Sequence, residues 1–582
     1  MEKQFIFCRI QPHFQSCKFI LLDRSAKIPE VAVRQDIKGC KFVEDFIEKS
    51  MGLEDNALVR KYVNVGEKKE GSTGMGIFVG LFAAFGGVLY GYDTGTISGI
   101  LGMNYVTERF PQDWKHDSGV PQHTFSSSEK SLIVSILSVG TVFGSLLAPI
   151  LNDTLGRRYT LIISSLIVFN VGVILQTAAT AIPLFCAGRA IAGFGVGLIS
   201  SCVPLYQSEC TPKWIRGAVV SLYQWAITIG LLLAACVNQG TKNRDNSGSY
   251  RIPIAIQFLW SLILGMGMIF LPESPRFYIH VGKDDKAKDS LRRLRKLPID
   301  HPDLIEEYMD IKAAYEFECS FGKPSLSMLF SRNNKQLKRL MTGIWLQAFQ
   351  QLSGVNFIFY YGTTFFQSAG IKNEFLISLA TNIVNVGMTI PGVIAIELVG
   401  RRNLLLVGAA GMSFSQFIVA IVGVAANSHA ANQVLVAFSC IFIAFFAATW
   451  GPICWVVVGE IFPLRTRAKS VAMSAASNWL WNWAIAYATP YMVDSGKGNA
   501  NLGSKVFFIW GGFNFLCFFF TYFTIYETKG MTLEQIDAMY EHVDHAWKSK
   551  SYVPKEHEFR GEISPHSSTK AEGVSEVEDA SV

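Results

Sequence analysis

Asp93 is a carboxylate inside a run of apolar and small residues, 76–100. In hydrocarbon such a charge costs about 2.5–3.5 kcal/mol, so it has to face a protein interior with a partner. Arg189, in a second apolar run at 182–205, is the natural counter-charge. With the two runs antiparallel, Asp93 lies about 25 Å along one and Arg189 about 10 Å along the other at 1.5 Å per residue, comparable depths. The pair can act in two ways. It can pin two helices together permanently, or Asp93 can take up a proton, release Arg189 and couple proton entry to helix movement. A second group is uncharged. Gln350 and Gln351 fall about 18 Å into the run 339–366, with Asn356 about one and a half turns further. Gln224, Asn385, Trp455, Asn478 and Asn482 occupy other apolar runs. Carboxamides and an indole supply uncharged donors and acceptors beside an apolar plane; hydrogen bonding between helices is the plain alternative.

These groups need a membrane to make sense of them. The 582-residue chain is 50% hydrophobic and only 17% charged, against about 25% charged in soluble proteins. Its 52 basic and 46 acidic residues give a net charge of +6, too small a bias for a nucleic-acid binder. Twelve runs have the roughly 20-residue length that spans a bilayer: 76–100, 132–152, 159–180, 182–205, 218–239, 253–271, 339–366, 374–398, 402–424, 432–458, 468–493 and 505–526. The chain is therefore read as an all-α membrane protein. Lys and Arg crowd the even-to-odd connections, which places those loops and both termini in the cytosol. The glycosylation sequon Asn152-Asp153-Thr154 then lies in a cytosolic turn and is expected to stay unmodified. Eleven cysteines, mostly inside apolar runs, indicate no disulfide framework.

The halves repeat each other in charge. Asp153-x-x-Gly156-Arg157-Arg158 recurs as Glu397-x-x-Gly400-Arg401-Arg402, and Glu209…Arg216 recurs as Glu460…Arg467. Pro272-Glu273-Ser274-Pro275-Arg276 is matched by Tyr526-Glu527-Thr528-Lys529-Gly530, and the three offsets are 244, 251 and 254 residues. Near-equal offsets mean a duplicated six-helix unit. The layout is a cytosolic tail at 1–75, a six-helix half at 76–271, a cytosolic linker with short amphipathic helices at 272–338, a second half at 339–526 and a tail at 527–582. Parallel halves of this kind hold substrate near the midplane between them, the major facilitator arrangement. The repeated Asp and Glu exceed what orientation needs, because carboxylates contribute little to topology. A charge latch tying the helix ends of each half together in the outward-facing state accounts for them; topogenic charge alone accounts only for the arginines.

Gly91-Tyr92-Asp93-Thr94-Gly95, Gly156-Arg157-Arg158, Gly188-Arg189, Pro272-Glu273-Ser274-Pro275-Arg276, Gln350-Gln351-Leu352-Ser353-Gly354-x-Asn356 and Gly451-Pro452-x-Cys454-Trp455 together resemble the sugar porter family of the major facilitator superfamily, and most of all the fungal monosaccharide transporters. The resemblance covers roughly 76–533. It implies that Gln224, Gln350, Gln351, Asn356, Asn385, Trp455 and Asn478 contact a monosaccharide, and that Asp93 and Arg189 permit proton coupling without requiring it. Tyr526 departs from the family, which carries proline there, so the geometry after span twelve is open.

The expected protein is thus a plasma-membrane hexose transporter working by alternating access with proton symport; a facilitator and a sensor that signals without net transport are the rivals. A tail of only about residues 527–582 favours a transporter over a sensor. Gly87, Gly91, Gly95 and Gly99 recur every four residues and let a neighbouring helix approach. Tyr360, Tyr361 and the Gly451-Pro452 interruption in span ten suit a gate or, equally, ordinary interfacial packing and a tolerated kink. Gly193-Phe194-Gly195-Val196-Gly197 lies inside span four with no strand before it, so a nucleotide site, and with it any cofactor or enzyme activity, is not expected. The linker's basic face suits anionic lipid. Ser564-Pro565 and Lys570 suit phosphorylation and the ubiquitin-ligase machinery, and Met51 reads as an alternative start.

Overall fold

The computed structural model describes residues 74–110, 114–117, 120–123, 125–212, 215–320, 326–368, 374–425, 429–463, 466–494, 498–531 and 533–552. The expectations for the first tail, for Met51 and for Ser564-Pro565 and Lys570 lie outside the described residues.

Ten described helices are long and apolar enough to cross a bilayer: Gly74–Leu101, Ser127–Leu155, Arg157–Ala178, Ile182–Cys210, Arg216–Thr241, Gly248–Phe270, Glu374–Val399, Arg401–Ala425, Ala430–Glu460 and Gly503–Thr524. They are spans one to six, eight to ten and twelve. The other two expected spans are also helical. Span seven comes in two pieces, Gln336–Leu352 and Val355–Ser368. Span eleven, Arg467–Val493, is long enough but buries Ser470, Ser474, Asn478 and Asn482. The two least apolar spans are therefore those that carry most of the amides. Twelve helices in two six-helix halves form the expected architecture.

The breaks have local causes. Gly354 joins the two pieces of span seven at φ +82, and a Cβ there would meet the Trp510 ring at 2.5 Å; only glycine combines that torsion with that approach. Span ten was expected to be interrupted at Gly451-Pro452, but the break lies just upstream, at Thr449 (φ −132, ψ −84), between helices His429–Ala448 and Trp450–Glu460. Pro452 has no N–H for the carbonyl of residue 448, so the ladder fails one turn before the ring. The four-residue glycine stripe faces span five: Cβ atoms at Gly87, Gly91, Gly95 and Gly99 would meet Tyr223, Ile227, Ala234 and Asn238 respectively.

The linker forms helices Pro275–His280, Asp284–Arg295 and Pro302–Ser320. They pack over a small core of Ile279, Ala287, Leu291, Leu304 and Tyr308. Arg295 pairs with Glu307 at 2.7 Å and donates to the carbonyl of Cys210 at the end of span four, which fastens the linker to the first half. On the opposite face, the loop after span one adds a short antiparallel hairpin, Trp114–Asp117 with Val120–His123.

That opposite face is where hydrogen bonds join the two halves. Lys130 at the start of span two pairs with Asp494 at the end of span eleven at 2.9 Å, and Ser127 also donates to Asp494. Ser131 donates to the carbonyl of Tyr487, Ser138 to Asn482 at 2.7 Å, and Ser98 of span one meets Thr363 of span seven at 3.2 Å. The face away from the linker is sealed along spans two and eleven.

Candidate substrate cavity and its charged neighbour

A cavity lies between the halves, lined by residues of both. All seven residues expected at the substrate line it: Gln224, Gln350, Gln351, Asn356, Asn385, Trp455 and Asn478. Gln350, Gln351, Asn356 and Trp455 come from the broken spans seven and ten, and Gln224, Asn385 and Asn478 from spans five, eight and eleven. Gln350 donates to the carbonyls of Trp450 and Gly451, both at 3.0 Å, just past the break in span ten. Gln351 donates to Asn478 at 2.9 Å and accepts from Asn356 and from Asn482. Asn478 donates to Gln350 at 2.8 Å and to Gln347 at 2.6 Å. The amides thus hold one another in fixed orientations, which is how a polar cluster in a low-dielectric interior keeps its geometry.

Sequence reasoning missed several members. Gln347 belongs to the amide network, and its position one turn before Gln350 and Gln351 on the same helix face was the available clue. Tyr90, Thr94 and Tyr223 from the first half, and Phe359, Phe446 and Trp479 from the second, also line the cavity. Tyr90 meets Trp479 edge to face across the halves at 5.2 Å. The Tyr223 hydroxyl, the Asn385 Oδ1 and the Trp479 Nε1 are buried without a protein partner. Buried polar groups are normally hydrogen-bonded, so these three are free to meet a hydroxylated ligand. Asn482 stands behind the lining: it accepts from Ser138 and from Tyr360 at 3.0 Å, linking the amide network to the seal between halves.

Asp93 and Arg189 are brought together, both almost wholly buried, at 3.9 Å. Gln257 of span six donates to the same Asp93 oxygen at 3.2 Å. Tyr90 and Thr94 line the cavity and Asp93 does not, so the carboxylate looks away from the substrate toward spans four and six. Any coupling between them must pass through the position of span one.

Residues 79–540 match the family described as sugar (and other) transporter. The chain belongs to that family. It is 51% identical over 532 residues to the major facilitator-type transporter ecdD of Aspergillus rugulosus, covering 88% of this chain and 97% of the relative. It is 48% identical to the probable glucose transporter rco-3 of Neurospora crassa (83% and 82% covered) and 47% identical to the high glucose sensor RGT2 of Saccharomyces cerevisiae (80% and 61% covered). Among solved structures it resembles the proton:xylose symporter XylE of E. coli bound to 6-bromo-6-deoxy-D-glucose, with a TM-score of 0.67, 28% identity, and 80% and 99% of the two chains covered. Sugar transporters of this family are not enzymes, as expected.

The repeated charges on the linker face form two matching clusters, one per half. Arg157 pairs with Glu209 at 3.1 Å and, loosely, with Asp153 at 3.9 Å. Arg401 pairs with Glu397 and Glu460, both at 3.0 Å. Glu209 is bonded in turn by Ser274, and Glu460 by Thr528 at 2.6 Å. The second arginine of each pair does something else: Arg158 donates to the carbonyls of Met268 and Ile269, and Arg402 to that of Tyr522, so each caps the end of span six or twelve. Arg467 donates to the carbonyl of Gly459, and Arg216 opens span five. Because the carboxylate pairs lie within halves and coexist with the sealed opposite face, they do not require an outward-facing state.

Glu273 and Glu527 were not singled out as site residues, although the repeated motif contained both. Glu273 accepts the main-chain N–H groups of Arg157, Arg158 and Ser274, and Glu527 those of Arg401, Arg402 and Lys529. Each puts a carboxylate at the N-terminus of span three or nine, where the helix dipole and unpaired N–H groups favour it. Burial nonetheless pushes the Glu273 carboxyl up. Tyr526, in the place of the family's proline, leaves this geometry intact: it is buried against Tyr540 at 4.4 Å and donates to the carbonyl of Asp544, tying down the helix Leu533–His542.

Proposed function

We propose that this protein carries a monosaccharide, glucose or a closely related hexose, across the plasma membrane by alternating access, with a proton moving in the same direction. The linker face and both termini lie in the cytosol in this reading, as the placement of Lys and Arg requires. The observation that carries it is the interhalf cavity itself, lined by interlocked carboxamides and Trp455 with no charged side chain among its lining residues. That chemistry suits hydroxyls and the apolar face of a sugar ring and disfavours ions.

The cavity has residues from both halves, so a sugar bound there draws the halves together. Closure along spans two and eleven shuts the outer side, and Asn482 passes the state of the amide network to that seal. The Arg157–Glu209 and Arg401–Glu460 clusters keep the cytosolic helix ends of each half moving as one body, which is the latch role assigned to Asp153, Arg157, Glu209, Arg216, Glu397, Arg401, Glu460 and Arg467; Arg158 and Arg402 serve it through carbonyls. Asp93 accepts a proton from the outside, loosens from Arg189 and frees span one to tilt; re-forming the pair after release inside resets the cycle. The likeness to a proton:xylose symporter supports coupling, and the likeness to a glucose sensor supports a second reading in which hexose binding signals without net transport.

Expression in cells without their own hexose transporters, with labelled uptake and external pH recorded together, separates the readings. Uptake with a rise in external pH is the expected result. Uptake without a pH change makes the protein a facilitator, and surface expression without uptake makes it a sensor.

A further inference from the structure

The charged site beside the cavity has a third member whose chemistry differs from the other two. Gln257 is 1% exposed, and its Nε2 donates to Asp93 Oδ1 at 3.2 Å. Its own Oε1 is buried without a partner, as is Asp93 Oδ2. Arg189 can only donate: a guanidinium has no acceptor, so it offers nothing to the O–H of a protonated carboxyl. A carboxamide offers both a donor and an acceptor, and its two ends are so alike in size that half a turn about the terminal torsion exchanges them without repacking.

We propose that Gln257 is a positioning residue for proton coupling, donating to Asp93 when it is ionised and, turned over, accepting from it when it is protonated. This rests on the symport reading above. In the ionised state Asp93 is held by Arg189 and by the Gln257 N–H. When a proton arrives, the new O–H finds Gln257 Oε1, which until then had no partner, and Arg189 is free to leave. The amide thereby gives both protonation states of Asp93 a partner, the ionised one the stronger bond. The other titratable groups around the site are Cys186 near Arg189 in span four, Tyr90 and Tyr92 on span one, Tyr223 of span five facing Tyr90, and Tyr360 and Tyr361 of span seven. None offers a carboxylate to compete for the proton.

The test is initial sugar uptake against external pH, in cells lacking other hexose transporters, for wild type, Gln257→Met and Gln257→Leu, normalised to surface abundance. Uptake that needs protonated Asp93 falls as pH rises. Met removes the bond to the carboxylate, a charge-assisted one, and a weaker bond to the acid, so the ionised form loses more and the proton affinity of Asp93 rises. The midpoint of uptake in Gln257→Met is expected to move up by about one pH unit. Leu also removes both bonds and adds no charge, and its midpoint moves in the same direction; it carries the test if the Met variant fails to reach the surface. A merely structural role would lower abundance or maximal rate and leave the midpoint in place. Coupled wild-type uptake with an unmoved midpoint in the variants overturns the proposal alone. Wild-type uptake insensitive to pH and to a protonophore overturns the symport reading and this proposal with it.

Discussion

At Gln351 a single side chain bonds three others, Asn356, Asn478 and Asn482, so its loss disturbs more than one contact. Gln350→Ala, Gln351→Ala and Trp455→Ala are each expected to raise the apparent KM about fivefold or more or abolish uptake at normal surface abundance, because a buried polar partner left unmatched costs about 1–3 kcal/mol and loss of the indole removes an apolar plane. Kinetics like wild type in all three would remove the cavity from the mechanism. Asp93→Asn mimics the protonated carboxyl and cannot cycle. It should lose accumulation against a gradient and sugar-induced proton entry while keeping exchange of sugar across the membrane. Accumulation retained by this variant would leave Asp93 and Arg189 as a structural pair.

The elements most exposed to single changes are helix beginnings. Glu527 neutralises the first N–H groups of span nine as Glu273 does for span three. Glu527→Ala should lower the melting temperature of the purified protein, at the scale of a lost cap, about 0.5–2 kcal/mol; an unchanged melting temperature would mean that water replaces the carboxylate. In the linker, Lys312 beside Asp284 holds its carboxyl below the usual range. A carboxylate with a depressed pKa contributes stability above its unfolded value, about pH 4, and loses it as pH falls through the depressed folded value. Protease sensitivity of the linker should therefore stay flat from about pH 5 to 8 and rise only in stronger acid. A rise near neutrality would point to another titrating contact.

For the whole molecule, the outer seal among the described residues is a set of small bonds with an ion pair, Lys130 with Asp494, both partly exposed. Such a pair is worth about 0.2–1 kcal/mol, enough to bias two arrangements that differ little in energy. Lys130→Glu should increase outside labelling of Ser131→Cys a few-fold, and adding Asp494→Lys should restore protection. No change in labelling, or no rescue, would show that the seal is held by packing along spans two and eleven and not by charge.

The twelve spans and their two halves were legible before any coordinates, because a bilayer forces apolar runs of fixed length and makes every polar group inside them conspicuous; the seven cavity residues were singled out from those polar groups by the family resemblance. Duplication added the rest: Arg157 and Arg401, Glu209 and Glu460 stand out because the second half repeats them. What the chain alone leaves undecided depends on neighbours brought together from far apart in sequence. Gln257 is an ordinary glutamine until span six lays it on Asp93. Arg158 and Arg402 look like members of a charge latch, yet their guanidiniums reach carbonyls at the ends of spans six and twelve. Hydropathy and repetition are properties of one strand of sequence, and they determined the helices and the residues worth watching. The partner of each buried polar group is a property of packing, and only the tertiary structure decided which of them face the cavity, which face one another and which hold the helix ends.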